Sequence, residues 1–459
     1  MPEPANNPNP RFLVDPPSIL RLVIRKMFDR VINPSRVNAR RERVEAKRKN
    51  AGLPHVVEYF HQFDDPYSHL TTQVLAKLKS RYNIEIVIHF IHPTGGKLQP
   101  EAEKLAHWAR RDAELIAPHY DLEFPENAPL RPTEELQERA LNAVAGLSVD
   151  EIIDTLAAIN SAIWSGNDPL EAQTSTSKSN TEILDAGSAR LRELVHYSGA
   201  MFYYGGEWYW GVDRLLHLEQ RLRELGTCHD ASQPLICPRP EIDLSNTDAT
   251  GVELDFYASL NSPYTSIIFD TTIKTAKSCN AKLNFKPVLP MLMRGLPVPK
   301  TKGMYLLFDT KREAQLLGVP FGPVTLPVGQ PVRDIYSLLP WASEQGKDLE
   351  LMSTALNLAF TKGVGLHRTS GLRRAVEEAG LSWTDAKKRL GDTAWQPIVS
   401  GYQDEMDNEL GLWGVPCYRL HGSETDDELC VWGQDRLWLV AAEIKRRVQK
   451  CTQGKSKKA

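Results

Sequence analysis

The sequence predicts an α/β protein made of two tandem copies of one unit, each interrupted by a large helical insertion. Three observations carry that expectation. One set of residue types recurs downstream at constant spacing. Each copy opens with strand, helix and strand and closes with a hairpin and a helix. The 459 residues exceed what one hydrophobic core organises, so division into two domains is expected.

The repeat is read from fixed positions. Pro66-Tyr67 falls on Pro263-Tyr264, an offset of 197, and the same offset superposes Asn83 on Asn280, Pro93 on Pro290, Asp112 on Asp309 and Phe124 on Phe321. Near the end of each copy, Trp210-Gly211-Val212-Asp213-Arg214-Leu215 matches Trp432-Gly433-Gln434-Asp435-Arg436-Leu437 at an offset of 222. The second copy therefore holds 25 more residues between these landmarks (222 minus 197).

Each element has a local reason. Apolar runs at 56–60 and 252–257 read as strands, and the prolines at 66 and 263 start helices, since proline is tolerated at the first helical position. Those helices span 66–81 and 263–278 and lead to alternating strands at 84–90 and 281–288. About a hundred residues of helical spacing follow, seen in Leu136, Ala140, Leu141 and Val144 and again across 349–360. Hairpins at 201–210 and 417–432 close the copies, and a last helix follows from Asp213 or Asp435. A small mixed sheet with helices on both faces is the expected product.

The ends and the middle differ from the copies. Residues 1–50 hold twelve Lys/Arg against five Asp/Glu and read as a basic N-terminal arm. Ile19, Leu20, Leu22, Val23, Ile24, Met27, Phe28 and Val31 give it an apolar stripe, followed by a solvated helix over 36–49. Two readings are open: a helix packed on the first domain, or a contact with a protein partner or a membrane surface. The remaining divisions are a first domain at 51–225, a linker rich in Pro, Ser, Thr and Asp at 226–250, a second domain at 251–450 and a basic tail at 451–459.

A formal net charge of -3 argues against general nucleic-acid binding. The six cysteines (Cys228, Cys237, Cys279, Cys417, Cys430 and Cys451) form no Cys-x-x-Cys and no zinc-ligand spacing, so no metal is expected. Free thiols, an N-terminus without a basic-then-apolar leader and the lack of a long apolar run point to a cytoplasmic protein without a transmembrane segment. The glycines around Thr94-Gly95-Gly96-Lys97 and Gly363-Val364-Gly365 lack the spacing of phosphate loops.

The layout, with Ser262-Pro263-Tyr264, Gly414-Val415-Pro416 and the Trp432 motif, resembles the DsbA-like thioredoxin superfamily. It is most similar to its branch of 2-hydroxychromene-2-carboxylate isomerases and kappa-class glutathione transferases, over about 55–225 and 250–450. The resemblance implies two tandem thioredoxin-like domains with glutathione as thiol cofactor or co-substrate. It implies that Ser262 activates the thiol, and the chemistry agrees: a hydroxyl and a helix N-terminus both favour a thiolate. Ser262 is equally suited to cap its helix. The resemblance also implies that Pro416 is cis, with Val415 pairing to the peptide-like ligand, and that Gln434 and Asp435 meet glutathione's amino end. Lys302 and Asp309 complete the glutathione set, Lys302 pairing with a ligand carboxylate. Cys417 lies beside Pro416, where it is either a redox thiol or a buried side chain. The branch's asparagine is missing: Met293 and Arg294 stand in its place, which leaves polarisation of the organic substrate unassigned.

The first copy departs further. Asp65 replaces the serine, Met201 the cis proline and Leu105 the lysine, while Asp213 and the aromatics at 202–204 and 208–210 remain. A structural or partner-binding role is expected there, with Asp65 acting as a base as the other reading. For the whole chain the expected function is glutathione-dependent isomerisation or transfer on an electrophilic aromatic or unsaturated molecule. The rival readings are a thiol-disulfide oxidoreductase and a non-catalytic binding protein.

Overall fold

A computed structural model describes residues 3–169, 179–423 and 426–456. The chain divides into two compact units. The first-repeat unit comprises Val37–Pro240 with Pro299–Tyr305, and the second-repeat unit comprises Met1–Arg36, Glu241–Val298 and Leu306–Ala459.

Each unit holds one four-stranded mixed sheet. In the first, β1 (Val56–His61), β2 (Glu85–Phe90), β3 (Met201–Tyr204) and β4 (Glu207–Trp210) lie in the order β2-β1-β3-β4. In the second, β5 (Glu253–Ala258), β6 (Lys282–Pro287), β7 (Cys417–Leu420) and β8 (Leu429–Trp432) lie in the order β6-β5-β7-β8. In both, the first two strands are parallel and the other pairings antiparallel. A parallel pair needs a crossover, supplied by the helices Pro66–Arg81 and Pro263–Ser278, each with proline in its first turn.

Strand register corrects one alignment. Phe60 faces Met201, and its counterpart Tyr257 faces Cys417. Met201 is thus the partner of Cys417, and the residue standing where the second repeat has Pro416 is Ala200. The same backbone bond marks both: Gly211 donates to the Ala200 carbonyl (2.7 Å) and Gly433 to that of Pro416 (2.9 Å). The offset between copies grows from 197 to 216 across the helical insertion and to 222 across the hairpin. The second hairpin is longer because Tyr204 and Glu207 enclose two residues, whereas Leu420 and Leu429 enclose eight.

The N-terminal helix Ser18–Ile32 packs on the second repeat, not on the first as the sequence suggested. Arg21 decides this. It is 3% exposed and donates to the carbonyls of Leu326 and Val328 (2.8 Å each) and to Asp15 (2.8 Å). A buried guanidinium needs such acceptors, and this loop supplies them. Upstream, the Asn7 and Asn9 side chains donate to the carbonyls of Leu292, Met293 and Leu296. The next helix, Pro34–Asn50, has no buried residue, as its polar sequence implied. The last helix, Leu437–Ser456, runs into the expected tail, of which 457–459 lie outside the described residues.

Candidate active site

The site is built on the N-terminus of the helix Pro263–Ser278. Ser262 caps it, its Oγ accepting from the Thr265 N–H at 3.1 Å. The same hydroxyl donates to the Val415 carbonyl at 3.2 Å. The capping role read from the sequence is thus present, and the same atom carries a proton it can donate. The proton held by a long bond to a neutral carbonyl is the one an anionic sulfur would draw away.

The facing wall is the loop before β7. The Val415–Pro416 peptide is cis. Gly414 is required there, because a Cβ would lie 2.2 Å from the Trp432 ring. Trp432 also packs edge-on against Trp413, with ring centroids 4.8 Å apart. The Trp432 motif therefore shapes the loop from behind. Ser262 and Val415 both stay half-buried, open enough to meet a ligand, and the Val415 N–H has no acceptor among the described residues.

Arg294 is the residue that sequence reading passed over, noted only as a departure from an expected asparagine. It donates to the Trp413 carbonyl, on the same loop as Val415. Burial lowers its pKa to about 10, with Asp407, Cys417 and Tyr336 pulling the other way. It forms no ion pair among the described residues, and its Nε has no partner. A half-buried guanidinium without a carboxylate is electrostatically costly, and in a binding cleft that cost is recovered when negative charge arrives or develops. The only sequence signal was the wrong residue type at an expected position.

The other candidates separate. Asp435 is half-buried in the short turn Gln434–Arg436 that opens the last helix, in the same unit as Ser262. Gln434 is turned inward, its amide donating to the buried Glu313 at 2.7 Å. Asp309 is fully buried and accepts from Tyr264 (2.7 Å) and Arg312 (3.2 Å), leaving no carboxylate face for a ligand. The equivalent Tyr67–Asp112 bond has the same length in the first repeat, so this pair serves the fold. Lys302 belongs to the segment Pro299–Tyr305 of the first-repeat unit, where burial lowers its pKa. The structure therefore does not gather it with Ser262 in one unit.

Cys417 takes the buried reading. Its Sγ donates to the Gly414 carbonyl at 2.8 Å, the residue is fully buried, and burial pushes its pKa well up. A buried thiol whose ionisation is opposed in this way is a poor nucleophile and a poor exchange partner. The five cysteines with described side chains are all free, and among the described residues no group of His, Cys, Asp and Glu suits a metal.

In the first repeat, Asp65 adopts the backbone of Ser262, with φ -101° and ψ 116° against -99° and 116°. Its carboxylate accepts from the Ser68 N–H (2.9 Å) and hydroxyl (2.7 Å), and that hydroxyl accepts from the Ala200 N–H (2.9 Å). The carboxylate thus binds the start of its own helix and the Ser68 hydroxyl, where Ser262 reaches across to the facing loop. Burial raises the Asp65 pKa to about 6, against bonds from Ser68 that lower it.

Comparison with known proteins agrees with this architecture. Residues 253–445 match the family described as DSBA-like thioredoxin domain, and the second repeat is such a domain. Among solved structures, a 2-hydroxychromene-2-carboxylate isomerase is similar at 20% identity, with 44% of this chain matched to 98% of that one and a TM-score of 0.37. The cytosolic disulfide reductase DsbM of Pseudomonas aeruginosa, solved with GSH, is similar at 15% identity, 42% and 99% coverage and TM-score 0.32. A probable DsbA oxidoreductase from Streptomyces coelicolor gives 15% identity, 42% and 89% coverage and TM-score 0.32. No curated protein matches the chain in sequence.

Proposed function

We infer that the second repeat is a glutathione-dependent enzyme that adds the glutathione thiolate to an electrophilic, unsaturated molecule. One observation carries the reading: the Ser262 hydroxyl at a helix N-terminus shares the Val415 carbonyl across a cis-Pro416 loop whose Val415 N–H is open. The N–H and carbonyl of Val415 suit an extended peptide-like ligand, and the helix N-terminus with Ser262 suits its sulfur as an anion. Asp435 would receive the ligand's ammonium group.

In the reaction, sulfur forms a bond to the unsaturated carbon and the displaced electron pair moves onto the conjugated oxygen. Arg294 stabilises that developing charge, the part an asparagine was expected to play. Rotation followed by collapse of the adduct expels the thiolate and returns glutathione, which is isomerisation. Protonation of the adduct instead retains the C–S bond, which is transfer. Disulfide exchange has less support, because the one cysteine beside the site, Cys417, is buried and un-ionised.

Calorimetry with reduced glutathione tests the reading. The full chain should bind it. A charge-assisted hydrogen bond contributes about 1.5–3 kcal/mol, so Ser262→Ala should weaken binding about tenfold or more and abolish the thiolate absorbance of the complex. Absence of binding to the unaltered protein would sink the proposal.

A further inference from the structure

The N-terminal helix carries apolar residues over most of its circumference, more than a single buried face requires. Among the described residues, the chain buries the side of Arg21 and Ile32. Because Arg21 is pinned by Leu326, Val328 and Asp15, the helix cannot roll its other side inward.

That other side is exposed and apolar over its first turns, with Lys26 and Arg30 following on the same face. Ile19, Leu22, Val23 and Met27 stand at helical spacing on one face, and Ile19 is 80% and Val23 57% exposed. Phe12 (55%) and Leu13 extend it from the preceding turn. These six are half of the twelve exposed large hydrophobic residues among those described, gathered within sixteen positions. So dense a concentration marks a surface that something covers.

The charges say what covers it. Arg11, Lys26, Arg30 and Arg36 are exposed and make no ion pair among the described residues. The acids of residues 3–36 are engaged: Glu3 with Arg333, Asp15 with Arg21 and Arg333, Asp29 with Arg25. An exposed apolar face whose only unpaired charges are cations, Lys26 and Arg30 among its apolar residues, complements an anionic lipid surface, into which the apolar side chains sink while Lys and Arg reach up to the headgroups. A second copy meeting it through the same face would bring more cations and no free acid. The helix has 15 residues, short of the about 20 needed to cross, and among the described residues no helix is apolar and long enough to span a membrane.

We propose that the outward face of Ser18–Ile32, with Phe12 and Leu13, docks this protein on anionic membrane surfaces. Asn7 and Asn9 of the same arm hold the turn bearing Arg294, so the docked surface and the candidate site belong to one unit. Such placement suits an enzyme for electrophiles that partition into lipid, but the docking stands whether or not glutathione binds.

Vesicle flotation of the full chain tests it, with phosphatidylcholine alone against phosphatidylcholine mixed with phosphatidylglycerol. Recovery with the anionic vesicles should be about tenfold higher and fall as salt screens the cations. The double variant Ile19→Asp, Val23→Asp should lose it, and Lys26→Glu, Arg30→Glu should lose the preference for anionic lipid. Both variants should keep the thermal melt and the glutathione titration of the parent. Equal recovery with and without vesicles overturns the proposal. So does a concentration-dependent dimer, seen by sedimentation without lipid and abolished by the Ile19, Val23 variant, which would assign the face to a second copy.

Discussion

Ser262 and Asp65 occupy the same backbone position in two copies and show what one side chain changes. The serine keeps a transferable proton beside an open N–H, whereas the aspartate closes a ring of bonds with Ser68 and Ala200. The aspartate also costs stability. Its pKa of 3.8 in the ordinary state rises to about 6 on folding, so the native state holds the proton more tightly. The penalty is absent below 3.8, grows as pH rises and is complete above about 6. Asp65→Asn should therefore raise Tm at neutral pH, by about 2–4 °C per kcal/mol recovered, with no gain in strong acid. An unchanged Tm at neutral pH would show that the carboxylate is not held under strain. The serine was legible in the sequence, and so was the aspartate. The role of Arg294 was not, since no spacing rule reveals that an arginine will lack a carboxylate once packed.

At the scale of elements, the copies repeat more than their strand order. Glu58 on β1 pairs with His89 on β2 at 2.9 Å, and the corresponding Asp255 on β5 pairs with Lys286 on β6 at 2.7 Å. Burial pushes Glu58 up, but bonds from Arg190 and His89 outweigh it and hold the group near 2. Its contribution is present above its ordinary 4.5 and is lost as pH falls toward 2. The first repeat has a further acid weakness. His61 and His69 are buried, and burial lowers them to about 3 and about 4 from 6.5, so the stability of their neutral forms declines once pH drops below 6.5. The second repeat has Ala258 and Ser266 at those places. Near pH 5, hydrogen exchange should therefore accelerate in Pro66–Arg81 before it does in Pro263–Ser278. The reverse order would contradict this assignment. The elements themselves were well marked: both crossover helices begin and end where their prolines and polar ends indicated, because capping is local chemistry.

For the molecule as a whole, residues 1–36 of the N-terminal arm are part of the second-repeat unit rather than an appendage. Removing the buried Arg21 guanidinium leaves the Leu326 and Val328 carbonyls without their donor. Arg21→Met should cost about 1–3 kcal/mol and loosen the 324–330 loop, read as a lower Tm and faster exchange there. An unaltered melt would mean that the arm rests on the domain without supporting it.

What the sequence by itself determined is the duplication, the element boundaries, the fold class and the Ser262–Pro416 pair, because period, capping and proline chemistry act over a few residues. Only the tertiary structure decided the rest. It showed which copy the arm joins, that Ala200 rather than Met201 answers to Pro416, that Asp309 and Gln434 turn inward, that Cys417 is sealed, and that Lys302 belongs with the other unit. Each depends on which distant groups fill the space around a side chain, and burial and partner choice across hundreds of residues leave no mark in local spacing.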